Sequence, residues 1–529
     1  MARERWGSKL GVILAVAGSA IGLGNFLRFP GLVAQHGGAF MVPYLVALFL
    51  LGIPLMWIEW TIGRFGGGFE HSTAPGMFHT MWQKNRFIKY FGVIGIFGPI
   101  VIFIYYTYVE SWLLGYGVFA LLGKYSQCVT RGDMGKLLDN YRGLGDTPWL
   151  FALAYLFFVV TFFLNILILY FGIKGGIETV CKWAMPVLFL LAVVLVVRVL
   201  TLPATEHGDV GSGLGFIWNP KWSALTSAKV WFEAAGQIFF TLSVGIGVIL
   251  TYASYLTKKD DVALSGLTAA STNEVAEVIL GGSIVIPAAV LFFGVKETGQ
   301  AAESIFDLGF MTMPLVLKKM TLGNLFGLFW FILLFLAGIT SSISLAQPAI
   351  AFLEDEFNLS KKKAVLVFAI VTFVLCQASI FFIGRGVLGE LDFWGGNFCL
   401  ILFGTVEVIL FAWVFGMDRA WTELHVGSDI TIPRIYRFII KYITPAFLLF
   451  LMGFWLYDQW TPKVCMEEVR TKKPENVPYI VGTRIGLILL FAVIAVMVWI
   501  AWKRRGSRRT AGGAPVESSN QEESQEPTS

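Results

Sequence analysis

The sequence predicts an all-α polytopic membrane protein: twelve transmembrane helices, ten of them in a 5+5 inverted repeat with helices one and six broken. Three observations lead there. The 529-residue chain is 56% hydrophobic and only 14% charged, with mean hydropathy +0.71. A soluble domain of that size needs far more charge to cover its surface. Its apolar residues fall into twelve runs, each long enough to span about 30 Å of hydrocarbon at about 1.5 Å per residue. The first and sixth runs are interrupted by glycines and polar residues at matching places in two groups of five, the sequence mark of an inverted repeat.

The runs lie at about 9–34, 39–63, 88–120, 150–170, 178–200, 229–255, 263–294, 322–353, 363–383, 391–415, 433–457 and 478–502. Residues 1–502 form one transmembrane domain, with repeats at approximately 9–200 and 229–415 and helices eleven and twelve after them. Several runs exceed the minimum, which implies tilt, a break or extension into water. Orientation follows from Lys and Arg in the connections. The side holding the N-terminus, 64–89, 171–182, 256–262, 354–363, 416–441 and the tail collects 23 of the 40. Both termini are therefore expected in the cytoplasm. The first run lacks a clear cleavage site and holds Asn25 and Arg28, so it reads as a span and not as a cleaved signal. Residues 503–529 start basic and turn acidic among Ser, Gly and Pro, which reads as a disordered cytoplasmic tail. An apolar hump near 305–310 in the outer loop 295–321 suggests a hairpin of short helices over the outer mouth.

The net charge of +5 belongs to this topology and does not point to nucleic acid. Five scattered cysteines give neither a disulfide framework nor a zinc spacing. No nucleophile–base constellation marks an enzyme.

The first run carries the most information. Gly18, Gly22 and Gly24 lower its helix propensity, Asn25 and Arg28 are polar, and Pro30 cannot donate a backbone bond. In hydrocarbon a broken helix survives only where something else uses its freed groups. A plain packing face with a proline kink leaves Arg28 unexplained at this depth, so the break reads as a binding site. The sixth run repeats the theme with Thr241, Ser243, Gly245 and Gly247 in mid-membrane.

The runs GSAIGLGNFLRFP, GGAFMVPY, GIPLMWIEW, IYYTYVESW, GQIFFTLSVGIG, SGLTAASTNEVAEV and AGITSSISLAQP resemble the neurotransmitter:sodium symporter family. The likeness runs from the first segment into the twelfth, and leans to the prokaryotic amino-acid branch typified by the bacterial leucine transporter. The inverted-repeat rule is itself drawn in part from this family, so it is not independent support.

The resemblance implies a sodium-coupled symporter of neutral, mainly hydrophobic amino acids, working by alternating access without chloride. The substrate carboxylate would meet the half-helix resuming at Leu23 and Gly24, with the Tyr106 hydroxyl. Its ammonium would meet carbonyls near Ala20 and after Phe240 and Thr241, with the Ser243 hydroxyl. Ser19, Leu23, Ile102, Tyr106, Phe240, Ile246, Ser341 and Leu345 would line the side-chain pocket. None is charged, which disfavours ionic substrates. Ser19, Ile246 and Leu345 stand where the leucine transporter has Asn, Phe and Ile, so leucine is not carried over as the substrate. A hydrophobic pocket discriminates one methylene by only about 1–3 kcal/mol.

Two sodium ions are implied as co-transported cargo, and no organic cofactor. One would take the Ala20 carbonyl, Asn25, Thr241, Asn273 and the substrate carboxylate. The other would take the carbonyls of Gly18, Ile21 and Ala337 with the hydroxyls of Thr340 and Ser341. Glu277, four residues after Asn273 on one helix face, would supply the negative charge that chloride supplies elsewhere, and its protonation on sodium release would give proton counter-transport. Glu59 and Glu110 read as structural carboxylates. Arg28 and Asp392 would gate the outside, directly or through water, with Phe240 as a lid. Arg3 and Asp355 would gate the inside, helped by Ser254 and Tyr255, with Arg5 as competitor to Arg3. The expected surroundings are a bacterial or archaeal inner membrane, with lipid as partner and a homodimer as candidate assembly. A transport-deficient amino-acid receptor on the same scaffold, or a symporter of another small neutral amino acid or amine, are the alternatives.

Overall fold

The computed structural model describes residues 4–301 and 307–511. Among them no β-strand occurs, and the only pairing of that kind is an isolated bridge between Thr205 and Gly208. In hydrocarbon an all-helical chain satisfies its backbone groups internally. Ten helices are long and apolar enough to cross a membrane, and an eleventh is obtained by taking the bent pair Lys9–Ala20 and Gly24–Ala39 as one. Segment six does not pass that test. It is split into Ala228–Thr241 and Val248–Ala253, 14 and 6 residues long.

The other spans start close to the apolar runs, and all but one end close to them: Met41–Gly67, Ile88–Leu121, Pro148–Tyr170, Ile173–Leu200, Val262–Gly299, Gly323–Phe357, Lys361–Phe381, Val387–Val414, Ile435–Lys472, which runs on well past its expected end at 457, and Pro474–Arg504. Segment seven is not straight to its end. Gly294 leaves helical geometry (φ 78°, ψ 165°) and turns the chain. The outer loop that follows folds into Asp307–Thr312 and Met313–Lys318, as the apolar hump predicts, while residues 305 and 306 of that hump lie outside the described residues. Gly309 lies close over Leu27 of segment one, and Phe310 packs edge-on to Trp112 and Tyr116 of segment three.

Segment three is buried along nearly its whole length, and segment eight along most of it. The two pack together at the centre, with segments one and six against them. Segments four, five and twelve leave wide apolar faces outward, as lipid-facing helices do. The last helix continues through Ala511, into the segment expected to be the tail. Lys and Arg are good helix formers, and cations are favoured at a helix C-terminus. Residues 512–529 lie outside the described residues.

Candidate functional site

The two breaks face each other. Segment one stops at Ala20, Ile21 turns extended (φ −76°, ψ 91°), and helical structure resumes at Leu23, bent by 46° from the first half. The Asn25 side chain closes this gap, its Oδ1 accepting from the Gly22 N–H at 2.8 Å. Segment six unwinds from Leu242 to Gly247. Gly245 and Gly247 take positive φ there (75° and 80°), and an added Cβ on either would stand 2.5 Å from a backbone oxygen, of Leu400 and of Gly95 respectively. Both conformation and space demand glycine. Ser243 is left-handed too (φ 53°) and is held by its hydroxyl, which donates to the Ser19 carbonyl at 2.9 Å. A strained non-glycine residue of this kind is typical of a ligand clamp.

Between the breaks lies a cleft with ≈ 440 Å³ of space free of protein atoms. Ser19, Ile102, Tyr106, Phe240, Ile246, Ser341 and Leu345 line it, as do Ala20, Gly24 and Ser243. Leu23 and Thr241 do not line it. Leu23 contributes its N–H, which donates to the Tyr106 hydroxyl at 3.3 Å, and Thr241 turns to a polar cluster behind the cleft. Two wall residues were not anticipated. Leu400 comes from segment ten, and Ser344 bonds the Ser19 hydroxyl at 2.7 Å. Ser344 lies three residues after Ser341, so helical spacing could have pointed to it. No charged side chain lines the cleft.

Behind it, the Asn25 amide donates to Thr241 Oγ1 (3.1 Å), Asn273 Oδ1 (2.8 Å) and Glu277 Oε2 (3.1 Å). Thr241 also bonds Glu277, and Asn273 Nδ2 reaches Thr241 Oγ1 at 3.0 Å. Gln237, absent from the expected set, donates to Glu277 Oε1 at 2.8 Å. The side chains expected around the first ion thus meet in one fully buried cluster with Glu277. Of the second set, Ser341 Oγ lies 3.4 Å from the Gly18 carbonyl, across segments one and eight, and 3.0 Å from that of Ala337, while Thr340 Oγ1 bonds back within segment eight to the carbonyls of Leu336 (2.9 Å) and Ala337 (3.2 Å). Among the described residues no group of three His, Cys, Asp or Glu could hold a metal ion. The donors here are carbonyls, hydroxyls and amides, a set suited to a hard cation.

Glu59 and Glu110 hold structure. Glu59 accepts from the Gly245 N–H and so fastens the unwound part of segment six. Glu110 is reached by Asn165 at 3.3 Å, whose own oxygen accepts from Ser342 at 2.6 Å.

The outer gate differs from the direct pair that the sequence allows. Arg28 lies 4.8 Å from the centre of the Phe240 ring and forms no ion pair with Asp392. Asp392 is taken instead by the Tyr105 hydroxyl (2.7 Å) and the Asn397 amide (3.1 Å). A cation over an aromatic face is a favourable alternative in a site with little water. On the other face Arg3 lies outside the described residues. Asp355 accepts from the Ser72 N–H at 2.9 Å, Tyr255 accepts from Gln347 at 3.2 Å, and Ser254 bonds back to Thr251. The N-terminal stretch is held by residues that the sequence did not single out. Glu178 accepts from Gly7 (2.6 Å), Ser8 (2.9 Å) and Lys182 (2.6 Å), and Trp6 donates to the Tyr252 carbonyl at 3.0 Å.

The profile of the sodium:neurotransmitter symporter family matches residues 3–142 and 144–504. The chain belongs to that family. It is 32% identical to an uncharacterized sodium-dependent transporter of Methanocaldococcus jannaschii, over 85% of this chain and 89% of that one. It is 24% identical to the sodium- and chloride-dependent glycine transporter 2 of Xenopus laevis, over 87% of this chain and 65% of that one. Among solved structures it is similar to MhsT in complex with L-phenylalanine, with TM-score 0.73, 28% identity, and coverage of 85% of this chain and 99% of that one. The protein is therefore a multi-pass membrane transporter of the sodium:neurotransmitter symporter family and not an enzyme.

Proposed function

We propose that this symporter carries neutral, mainly hydrophobic L-amino acids with two sodium ions, without chloride, by alternating access. The observation that carries the reading is the cleft itself: helix-end N–H groups and hydroxyls along one side, apolar side chains along the rest, and no charged side chain among them. The L-phenylalanine bound to MhsT is in keeping with that chemistry.

The N–H groups at Leu23 and Gly24 and the positive end of their half-helix suit a carboxylate, with the Tyr106 hydroxyl, which accepts the Leu23 N–H at 3.3 Å, as a further donor. Carbonyls at the ends of the first halves, at Ala20 and near Phe240 and Thr241, suit the ammonium, as does the Ser243 hydroxyl. Ser19, Ile102, Phe240, Ile246, Ser341 and Leu345 then surround the substrate's side chain. The first ion would sit among Ala20, Asn25, Thr241, Asn273 and the substrate carboxylate, so each ligand raises the other's affinity. The second would sit among Gly18, Ile21, Ala337, Thr340 and Ser341, joining segments one and eight. Glu277 supplies a fixed negative charge beside the first ion in place of chloride.

Phe240, under Arg28, closes the outer side, with Asp392 near the same mouth. Asp355, Tyr255 and Arg3 close the inner side. A partly solvated pair contributes about 1 kcal/mol or less, weak enough to break in each cycle. Two charges falling through about 100 mV, with about tenfold sodium gradients, release roughly 7 kcal/mol. That sustains on the order of a 10⁵-fold gradient of neutral substrate. Both termini face the cytoplasm of a cell with an inner membrane.

Reconstituted vesicles with an inward sodium gradient in gluconate salts test this. Accumulation of labelled L-phenylalanine or L-leucine, competed by neutral and not by ionic amino acids, is the expected result. Binding without accumulation would turn the reading towards a receptor. Preference for lysine or glutamate would refute the pocket assignment.

A further inference from the structure

A second cavity lies on the outer flank of the molecule, apart from the substrate cleft. It is a groove between segments three, nine, ten and twelve with ≈ 860 Å³ of space between its atoms. Its floor is made by Gly482 and Gly486 of segment twelve, and an added Cβ at either glycine meets nothing within 4 Å. The glycines therefore are not packed against a neighbouring helix; they open the groove. Its walls are apolar, with Ile104 and Leu391 at the back. From Pro478 to Leu490 the groove runs along segment twelve for about 18 Å at the helical rise, close to the about 15 Å depth of one hydrocarbon leaflet.

One end of this groove is charged. Phe382 and Tyr479 pack their rings there, 5.3 Å between centres, and the Arg385 guanidinium lies 5.3 Å from the centre of the Tyr479 ring. Arg385 is exposed, and among the described residues no carboxylate lies within ion-pairing distance of it. Glu390, close by in sequence, is committed to Arg484. An uncompensated arginine at the interfacial end of a leaflet-deep apolar groove complements one kind of molecule, an acyl chain carrying a phosphate. Guanidinium is suited to phosphate oxygens by its fork of donors.

We propose that this groove seats one acyl chain of a phosphate-bearing membrane lipid whose headgroup is held by Arg385. The chain would bear on Ile104 and Leu391, the sequence neighbours of Tyr105 and Asp392, which share a 2.7 Å hydrogen bond at the outer mouth. The bound lipid therefore forms part of the wall behind the outer gate.

Native mass spectrometry of the full-length protein, released from vesicles and incubated with phosphatidylglycerol or with diacylglycerol of the same chains, tests this. The wild type is expected to retain phosphatidylglycerol and to lose diacylglycerol. Arg385→Gln is expected to lower that retention about tenfold, the loss of one charge-assisted contact. Gly486→Leu, which fills open space without displacing protein atoms, is expected to lower it as far. Equal retention of the two lipids, or no effect of Arg385→Gln, overturns the headgroup assignment. A Gly486→Leu protein that halves its oligomeric mass while keeping its lipid would show that a second copy occupies the groove, and would also overturn the proposal.

Discussion

Replacing Glu277 by Gln isolates a charge with little disturbance of packing. Glu277 accepts from Gln237 through Oε1 and from Asn25 and Thr241 through Oε2. A glutamine has one acceptor oxygen, so one of those donors would face an amide N–H₂. Gln237 can absorb the change, because its own Oε1 is buried with no partner. Rotating its amide would turn that orphan oxygen towards the new donor. The hydrogen bonds survive as neutral ones, and the loss is chiefly the charge. With the proposed ion among Asn25, Thr241 and Asn273, the Glu277 carboxylate would stand one side chain behind it, and a charge at about 6 Å with an effective dielectric of about 20 would contribute nearly 3 kcal/mol, or roughly 100-fold in sodium affinity. The assay is the sodium dependence of substrate binding in sodium gluconate and in sodium chloride. Wild type should behave alike in both. Glu277→Gln should need roughly 10- to 100-fold more sodium in gluconate, with chloride restoring part of the loss. A variant matching wild type in gluconate would remove Glu277 from the charge-compensating role.

Three further perturbations probe separate parts of the machine. Tyr106→Phe removes a hydroxyl whose bond to Leu23 N–H is long, at 3.3 Å, so the fold should hold while substrate affinity falls about tenfold; equal affinity by calorimetry would dismiss it as a carboxylate ligand. Gly24→Ala places a Cβ 2.7 Å from the Phe240 ring, which should push the lid from under Arg28 and speed substrate release in a dissociation assay. An unchanged off-rate would mean that Phe240 is no lid. Glu178→Ala strips the partner from Gly7, Ser8 and Lys182, and hydrogen exchange over residues 4–12 should rise at least several-fold. Unaltered protection there would place the anchor elsewhere, for instance at Trp6.

The sequence was most legible where hydrophobic length and backbone chemistry decide the outcome. The spans follow the apolar runs to within a few residues at most ends, because twenty apolar residues leave a helix in lipid little choice. It was least legible where two side chains compete for one partner. Arg28 and Asp392 are opposite charges at the same mouth, yet Tyr105 and Asn397 satisfy the carboxylate, and Phe240 takes the guanidinium. Nothing in the spacing of those residues reveals which contact wins. Leu400 was invisible for another reason, since only the fold brings segment ten against the break in segment six.

The glycines of segment one show how a correct location can rest on an incomplete cause. Their low helix propensity marks the break, but none of Gly18, Gly22 and Gly24 takes a positive φ. Propensity alone would let alanine replace them at no cost, since alanine favours the helix over glycine by about 1 kcal/mol. The structure demands more. A Cβ at Gly22 would stand 2.8 Å from Ser341 Oγ and 3.1 Å from the Tyr106 hydroxyl, and one at Gly18 would stand 3.2 Å from Thr340 Cβ. These glycines exist so that segments three and eight can bring hydroxyls against bare backbone. An alanine at Gly22 would therefore act on Ser341 and Tyr106 together, one a proposed ligand of sodium and the other of the carboxylate. A substitution that merely stiffened the break would leave those two affinities independent, and one that fills the contact must weaken both.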